Sequence, residues 1–272
     1  MKLSFSSLGC HDYTLDQIID CAVKYKFDGV EIRMVEKTTR LWETSDLKPE
    51  TIGTAKKKFA DAGIDVAVIG AGTSFAWPGE KARNEHLDEL KRFIDVAHAL
   101  SCPYIRVFGG PVPEGRTMEE TVQSDIEGYT EAKKLIANSG ISLLFETHDS
   151  FSTSVGMLPL VKGLGGISGG FGVVWDVLHP VRFGESVDDT WNNLKPYIKH
   201  IHIKDSLVYS EDKFDFKLCG EGKVPIPRVV QLLKSGGYDG YLSFEWERGW
   251  HPEIEHCDIS FPHYVEYMKK LI

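Results

Sequence analysis

Four apolar segments, each turning charged at its carboxyl end, constrain the fold of this chain more than any other feature. From His200 to Lys204, histidine or lysine alternates with isoleucine, and a period of two residues predicts a β-strand. The charged residues in the equivalent places of segments 142–148, 173–176 and 242–247 are Glu146 and His148, Asp176, and Glu245. Buried strands with polar side chains at their carboxyl ends are typical of a parallel α/β sheet that carries a site at that edge.

Strand-like and helix-like segments alternate along the whole sequence. Two of the predicted helices begin with capping-box sequences, Thr14–Gln17 and Thr117–Glu120. Eight strands and eight helices with no linker predict parallel strands joined by right-handed crossovers. Because such a barrel typically needs about 250 residues, we expect a single-domain α/β fold, a (β/α)8 TIM barrel over residues 1–272. An open doubly wound sheet is the alternative, but segment 8–12 lacks its GxGxxG fingerprint.

The same periodicities give individual boundaries. The first strand is predicted over 3–8, a helix over 47–62 and the last helix over 263–271. The polar segment 206–222 is predicted to be a loop. Its two phenylalanines, Phe214 and Phe216, suggest a lid over the site.

Charge and cysteine content exclude several classes of partner. A net charge of −9 argues against a nucleic-acid partner, because phosphate backbones are bound mainly by Lys and Arg. The amino-terminal residues read as a strand rather than a signal peptide, and no apolar run approaches the roughly 20 residues of a membrane span. Five cysteines without a CxxC pair suit reduced thiols. We therefore expect a cytoplasmic protein without a membrane partner, and a homo-oligomer is left open.

In a barrel, the alternation directs many ionisable side chains inward or to the mouth. Burying so many of them is costly unless they are paired or bind a metal. The set that one cation would satisfy is Glu146, Asp176, His202 and Glu245. Three carboxylates and an imidazole favour Mn²⁺, with Mg²⁺, Zn²⁺ and Co²⁺ as alternatives.

Other ionisable residues have two interpretations. Glu31, Arg33 and Arg106 fit either salt bridges at the barrel mouth or contacts to a substrate. His200 lies one pleat deeper than His202 and is interpreted as structural.

Five short motifs carry a family resemblance when they are taken in order. They are Phe145–His148, Trp175–His179, His200–Asp205, Gly220–Gly222 and Gly237–Glu247. With these motifs the chain resembles the xylose isomerase-like TIM-barrel superfamily, and in particular its sugar-phosphate isomerase/epimerase branch. The resemblance implies that the four-residue set holds one divalent metal, that Glu146 and Glu245 also transfer protons, and that His179 contacts the substrate.

Two positions depart from a branch of that family. Its ketose 3-epimerases carry a second glutamate six residues after the first metal-binding glutamate and an arginine six residues after the metal-binding histidine, where this chain has Ser152 and Ser210. These differences count against free-ketose 3-epimerase activity. Lys204 is similar to a lysine found in the same motif of inosose dehydratase-like members.

The predicted activity is a metal-dependent isomerase or epimerase acting on a small sugar, sugar phosphate or polyol-derived ketone. A metal bound to a carbonyl and its neighbouring hydroxyl acidifies the C–H between them and stabilises the enediolate. Carboxylates then remove and return the proton. The residues expected to bind this small carbohydrate are His179, Lys204, His148, Arg106 and Arg33.

Two rival activities share the predicted fold. In an inosose dehydratase-like lyase the same enolate expels a hydroxyl, with Lys204 or His179 as the acid. A more distant alternative is an AP endonuclease-like phosphodiesterase. That chemistry needs additional histidines after the third and fourth strands, and segments 70–73 and 108–110 lack them.

Overall fold

The computed structural model describes residues 1–210 and 213–272, and its central feature is a closed barrel of eight parallel strands. The described residues contain the eight barrel strands and two further strands, numbered together in chain order. They are β1 (Lys2–Ser6), β2 (Gly29–Ile32), β3 (Asp65–Gly70), β4 (Tyr104–Val107), β5 (Ser142–Glu146), β6 (Phe171–Asp176), β7 (Ile198–Ile203), β8 (Asp205–Ser210), β9 (Lys213–Lys217) and β10 (Tyr241–Phe244). All except β8 and β9 belong to the barrel, which closes in the order β1, β10, β7, β6, β5, β4, β3, β2.

Helices follow the barrel strands and cover the outside of the barrel. They are α1 (Leu15–Tyr25), α2 (Ile52–Ala62), α3 (Glu80–Ala99), α4 (Met118–Ile136), α5 (Ser154–Gly163), α6 (Leu178–Arg182), α7 (Val187–Leu194), α8 (Ile226–Ser235) and α9 (Cys257–Met268). Both predicted capping boxes are present, at Thr14 and Thr117. The prediction of a single-domain (β/α)8 barrel is confirmed. No helix in the described ranges is both long enough and apolar enough to cross a lipid bilayer.

Three predicted boundaries were wrong for local reasons. The first strand ends at Ser6 because residues 7–10 turn into a short 3₁₀ helix. α2 begins at residue 52, because Pro49 disfavours helical geometry in the residue before it. α9 begins at Cys257 and contains Pro262. The predicted helix began after this residue, because a proline inside a helix is usually destabilising.

The predicted polar loop 206–222 was also wrong, because most of its described residues form an antiparallel hairpin of β8 and β9. Residues 211 and 212 of that loop lie outside the described residues. Asp205 anchors the hairpin base, since its carboxylate accepts hydrogen bonds from the N–H groups of Gly220, Gly222 and Val224 at 2.9–3.0 Å. A Cβ at Gly222 would lie 2.1 Å from Asp205 Oδ1, so this position requires glycine.

Asp125 is a fully buried carboxyl in α4 that fastens the segment following β3. Its Oδ1 accepts a hydrogen bond from the Phe75 N–H (2.9 Å), while Oδ2 has no hydrogen-bond partner. Burial raises the pKa of Asp125 from 3.8 to about 8, against the smaller opposing effect of the Phe75 N–H. At pH values between 3.8 and about 8, Asp125 therefore retains its proton in the folded state and has lost it in the unfolded state.

We expect Asp125→Asn to remove a pH dependence of stability. Below about pH 4, Asp125 does not change the pH dependence of wild-type stability. As the pH rises toward about 8, it lowers the free energy of unfolding by up to about 1.4 kcal/mol per pH unit. Asparagine keeps the acceptor for Phe75 and has no proton to lose. In urea unfolding, the stability advantage of the variant should therefore grow between about pH 5 and pH 7. A constant difference over that window would contradict this explanation.

Candidate metal centre

Strand register brings three acidic residues and one histidine to the carboxyl edge of the barrel. Asp176 at the end of β6 pairs with His202 in β7, and His202 pairs on its other side with Ser243 in β10. Glu245 follows β10 directly, and Glu146 is the last residue of β5, the neighbour of β6. All four ionisable side chains of the predicted set are buried there.

The three carboxylates converge on the imidazole of His202. His202 Nδ1 lies 3.0 Å from Glu146 Oε1, 3.2 Å from Glu245 Oε2 and 3.9 Å from Asp176 Oδ2. One oxygen or nitrogen from each of the four residues lies within 4.8 Å of the others. We call this group of four residues the acidic centre.

Asp176 uses one carboxylate oxygen to hold the backbone and directs the other into the acidic centre. Oδ1 accepts hydrogen bonds from the N–H groups of Leu178 (2.8 Å) and His179 (3.2 Å). Oδ2 makes no hydrogen bond of good geometry, although Lys204 Nζ lies 2.9 Å away. The Thr147 hydroxyl fixes the strand end by accepting from the Asp176 N–H (3.0 Å).

Lys204 provides a buried positive charge at the edge of the acidic centre. Its Nζ lies 2.7 Å from Glu245 Oε2 and 2.5 Å from Glu247 Oε1, in addition to its contact with Asp176. Burial opposes the charged form of Lys204, but Asp176, Glu245 and Glu247 outweigh burial and raise its pKa well above the ordinary value. Lys204, a predicted substrate contact, is therefore an ammonium group at the edge of the acidic centre.

Glu31 connects the two histidines of β7 below the acidic centre. Its Oε2 lies 2.8 Å from His202 Nε2 and 3.0 Å from His200 Nε2. Burial opposes the charged form of His202, but Glu245, Glu31 and Glu146 outweigh burial and raise its pKa well above the ordinary value. With a metal bound at Nδ1, the Glu31 carboxylate would hold the remaining ring proton at Nε2. His200 is buried against Glu31, as its structural interpretation expects.

Arg106 and Arg33 lie on the Glu146 side of the acidic centre. Arg106 Nη1 donates to the carbonyl of Ala71 (2.9 Å), and its Nε lies 3.2 Å from Glu146 Oε2, which makes it an ion-pair partner. Arg33 Nη1 donates a long hydrogen bond (3.5 Å) to the carbonyl of Gly70. Burial, and then the charge of Arg106, lower the pKa of Arg33 to about 10.

The three carboxyl groups of the acidic centre differ in the direction in which their surroundings shift the pKa. Burial and Glu245 act to raise the pKa of Glu146, but His202 and Arg106 lower it overall. Burial is likewise outweighed at Glu245, where His202 and Lys204 hold the pKa well below its ordinary value. At Asp176 burial prevails over Lys204, and the pKa rises to about 7.

The donor set fits a divalent cation. Glu146 Oε2 and Asp176 Oδ2 are buried oxygens without hydrogen bonds, a condition that costs free energy. A cation among them would remove this cost and the repulsion between the carboxylates. Oxygen-rich sites with one imidazole suit Mn²⁺, Mg²⁺ or Zn²⁺. The acidic centre is therefore a buried cluster that can hold a metal ion.

His179 and His148 lie at the mouth, where their rings pack edge to face at 4.6 Å. Arg182 Nη1 lies 3.1 Å from His179 Nδ1. Because a guanidinium can only donate, Nδ1 must accept, and the ring proton resides on Nε2. His179 Nε2 has no hydrogen-bond partner and lies 3.9 Å from Asp176 Oδ2. Burial, followed by the neighbouring cations, lowers the pKa of His179 well below its ordinary value.

Sequence reasoning missed three contributors to this region. Glu31 was left between two interpretations, and its role in orienting His202 depends on barrel closure. Arg182 was not identified, although its position three residues after His179 on α6 is a helical contact spacing. The anchoring role of Asp205 also escaped prediction, because it depends on backbone N–H groups 15 to 19 residues further along the chain.

Comparison with known proteins identifies the class to which this fold and site belong. The sequence profile of the xylose isomerase-like TIM barrel matches residues 19–258. This match covers most of the chain, and the chain belongs to that family. The predicted resemblance is thereby confirmed.

Curated relatives include an inosose isomerase from Halalkalibacterium halodurans, which is 23% identical over 259 residues, covering 90% of this chain and 87% of that protein. An uncharacterized protein of Methanocaldococcus jannaschii is 24% identical over 175 residues, which cover 61% of this chain. The second match spans only 58% of that relative's length.

Solved structures share the fold across the full chain. A probable 3-DHS dehydratase, AsbF from Bacillus anthracis, has a TM-score of 0.82 at 17% identity, with 99% of both chains covered. The IOLI protein with a bound zinc atom also has a TM-score of 0.82, at 20% identity, with 100% of this chain and 96% of that chain covered. Isomerases, epimerases and a dehydratase thus occur among the proteins similar to this chain.

Proposed function

We propose that this protein is a divalent-metal-dependent isomerase or epimerase of a small keto-sugar or polyol-derived ketone, with Glu146 and Glu245 in proton transfer. The observation that carries the proposal is the convergence of two buried glutamates on one imidazole, with Nδ1 within 3.2 Å of both. A metal bound in the acidic centre polarises a carbonyl and acidifies the neighbouring C–H. Family membership and the inosose isomerase relative support this class of activity.

The two glutamates have different neighbours, and this difference suits two roles. Glu146 lies against Arg106, whereas Glu245 lies against Lys204. One carboxylate removes a proton and the other returns it to the same carbon or to the next one, giving epimerisation or isomerisation. The ammonium of Lys204 stabilises the charged form of Glu245.

We propose Mn²⁺ as the metal and Glu146, Asp176, His202 and Glu245 as its ligands. Carboxylate oxygens with a single imidazole are the donors that Mn²⁺ accepts readily. His179, His148 and Lys204 are the proposed substrate contacts, because they lie at the mouth next to the acidic centre. Arg106 acts through its ion pair with Glu146, and Arg33 remains a proposed substrate contact.

A dehydratase is the second candidate, and Lys204 is the observation that favours it. Its ammonium contacts Asp176 and Glu245, where it can protonate a departing hydroxyl. The similar fold of the probable 3-DHS dehydratase supports keeping this alternative.

Product analysis tests the proposal and separates the two candidates. Protein loaded with Mn²⁺ is incubated with a panel of ketoses, keto-inositols and their phosphates, and the products are separated by chromatography and their masses are measured by mass spectrometry. We expect at least one isomer of unchanged mass that is not formed after chelation. Loss of water from the substrate would establish the dehydratase instead.

We expect Glu31→Gln to weaken Mn²⁺ binding by about 10- to 100-fold, the usual cost of removing a carboxylate that orients a metal-binding histidine. Both imidazoles contact the same oxygen of Glu31, so a glutamine oxygen can still accept from them, but it has no negative charge to hold the proton of His202 at Nε2. Calorimetric titration with Mn²⁺ measures this change, and circular dichroism checks the fold. Unchanged affinity would show that Glu31 does not orient His202.

His179→Ala should retain Mn²⁺ while raising KM or lowering kcat, because Nε2–H points at the mouth beside the acidic centre. The expected loss in kcat/KM is about tenfold to 100-fold, typical of one hydrogen bond to a reacting group. Metal content by emission spectroscopy accompanies the kinetics. Loss of the metal would instead make His179 a ligand.

A further inference from the structure

A cleft of about 540 Å³ opens beside the acidic centre and has no role in the proton transfers described above. His179 and Glu247 line its inner side. Both residues lie beside the acidic centre, since His179 Nε2 lies 3.9 Å from Asp176 Oδ2 and Glu247 Oε1 lies 2.5 Å from Lys204 Nζ. A ligand held at the acidic centre therefore has this cleft as its continuation.

The cleft also presents apolar rings to a ligand. Phe183, which is 40% exposed, Phe214 of the β8–β9 hairpin and Pro111 line it together with the hydroxyl side chains Ser150, Ser152 and Thr153. Phe214 is held in place by Phe216, with ring centroids 4.9 Å apart, and by the Arg182 guanidinium, 4.5 Å from its ring centroid. Rings fixed in this way offer a stacking surface without a large loss of conformational entropy on binding.

Charged groups that line the cleft are already matched within the protein. Asp149 Oδ1 lies 3.0 Å from His148 Nδ1, and Glu247 pairs with Lys204. Arg182 is engaged by the carbonyl of Ser210 (3.0 Å) and by His179 Nδ1. A phosphate placed here would compete with these partners, whereas an uncharged ring would leave them intact.

The structure points to a ring-substituted keto-sugar as the substrate: its reacting carbons lie at the acidic centre, and an uncharged ring substituent, aryl or glycosyl, packs in the cleft against Phe183 and Phe214. This inference rests on the proposed function. Clefts of about 300–1,000 Å³ accommodate ligands larger than a single hexose. Ring stacking of this kind strengthens binding by about 2- to 12-fold.

Binding measurements with matched sugars test the inference. Mn²⁺-loaded protein is titrated calorimetrically with D-fructose, with isomaltulose, which adds a glucosyl ring, and with 1-anilino-1-deoxy-D-fructose, which adds an aryl ring. We expect at least one substituted sugar to bind about tenfold more tightly than D-fructose. The better of the two identifies the substituent as aryl or glycosyl.

Two variants of the cleft and one control variant test whether the cleft causes the tighter binding of substituted sugars. Phe183→Ala and Phe214→Ala should each reduce the preference about two- to fivefold and leave the Kd of D-fructose unchanged. Ile167→Ala is the control, because Ile167 is equally exposed (40%) but precedes β6, at the opposite end of the barrel. Circular dichroism confirms that each variant is folded, and Phe183, which is the more exposed of the two rings, remains informative if Phe214→Ala is unstable.

Other outcomes overturn the inference and are distinguishable from failure of the proposed function. Equal affinity for free and substituted sugars, or no binding of any of them, means that the cleft does not select ring substituents. If the variants instead change the oligomeric mass in light scattering without changing the affinity ratio, this surface is an interface between copies of the chain. The proposed function is tested by a different result: it is wrong if no sugar of the product panel is converted.

Discussion

Glu146→Gln and Glu245→Gln should each lower turnover by about 10²- to 10⁴-fold while retaining most of the affinity for Mn²⁺, because glutamine offers an oxygen to a cation but is not a base. Both glutamates are buried, and both lie within 3.2 Å of His202 Nδ1. The loss should appear in kcat and in kcat/KM, as expected for groups that act in the transition state. Steady-state kinetics and Mn²⁺ titration of the same preparations provide the measurement.

A matched substitution distinguishes the loss of a proton-transferring group from the general effect of removing a negative charge. Glu266 lies exposed on α9, and Glu266→Gln should leave both turnover and metal affinity unchanged. The Glu146→Gln and Glu245→Gln variants should also differ from each other in solvent exchange. The variant of the abstracting glutamate should lose deuterium uptake from D₂O, whereas the variant of the returning glutamate can still exchange. Wild-type uptake in both variants would eliminate the two-glutamate mechanism.

His202→Ala and Asp176→Ala should abolish metal binding and with it nearly all activity. Loss of an orienting neighbour already weakens metal sites about 10- to 100-fold, so the loss of a ligand should exceed about 100-fold. Wild-type protein should gain thermal stability on adding Mn²⁺, because a ligand that binds only the folded state stabilises it. Neither variant should show that gain.

Stability controls are needed because both residues also hold structure. Asp176→Ala removes the acceptor for two N–H groups at the start of α6, which should cost about 1 kcal/mol without Mn²⁺. His98→Ala on the exposed face of α3 is the matched histidine control and should behave as wild type. Full metal occupancy in either site variant would show that the ligand set is wrong.

Much of the barrel and of the acidic centre followed from the sequence because both depend on short-range rules. Alternation within β7 separates His202 from Ile201 and Ile203, and parallel pairing brings the end of each strand to the same edge. Once β6 and β7 are neighbours, Asp176 and His202 must lie near each other at that edge. The distances between them needed the structure, since they depend on register shifts such as the one between Val173 and Val174.

The features that escaped prediction depend on contacts distant in sequence. Glu31 reaches His200 and His202 across the barrel interior, and β2 and β7 are not neighbours in the barrel. The hairpin of β8 and β9 needs its two strands to pair with each other and Asp205 to secure its base. A polar composition alone made that segment resemble a loop.

Deuterium incorporation during conversion is the measurement that tests the central claim most directly. The Mn²⁺-loaded protein is incubated in D₂O with the sugar that the product panel identifies, and the product is examined by mass spectrometry and NMR. Proton transfer through Glu146 and Glu245 predicts deuterium at the carbon next to the carbonyl, and none when His202→Ala replaces the wild type. Conversion that retains the original hydrogen would demonstrate a hydride shift and contradict the role assigned to the two glutamates.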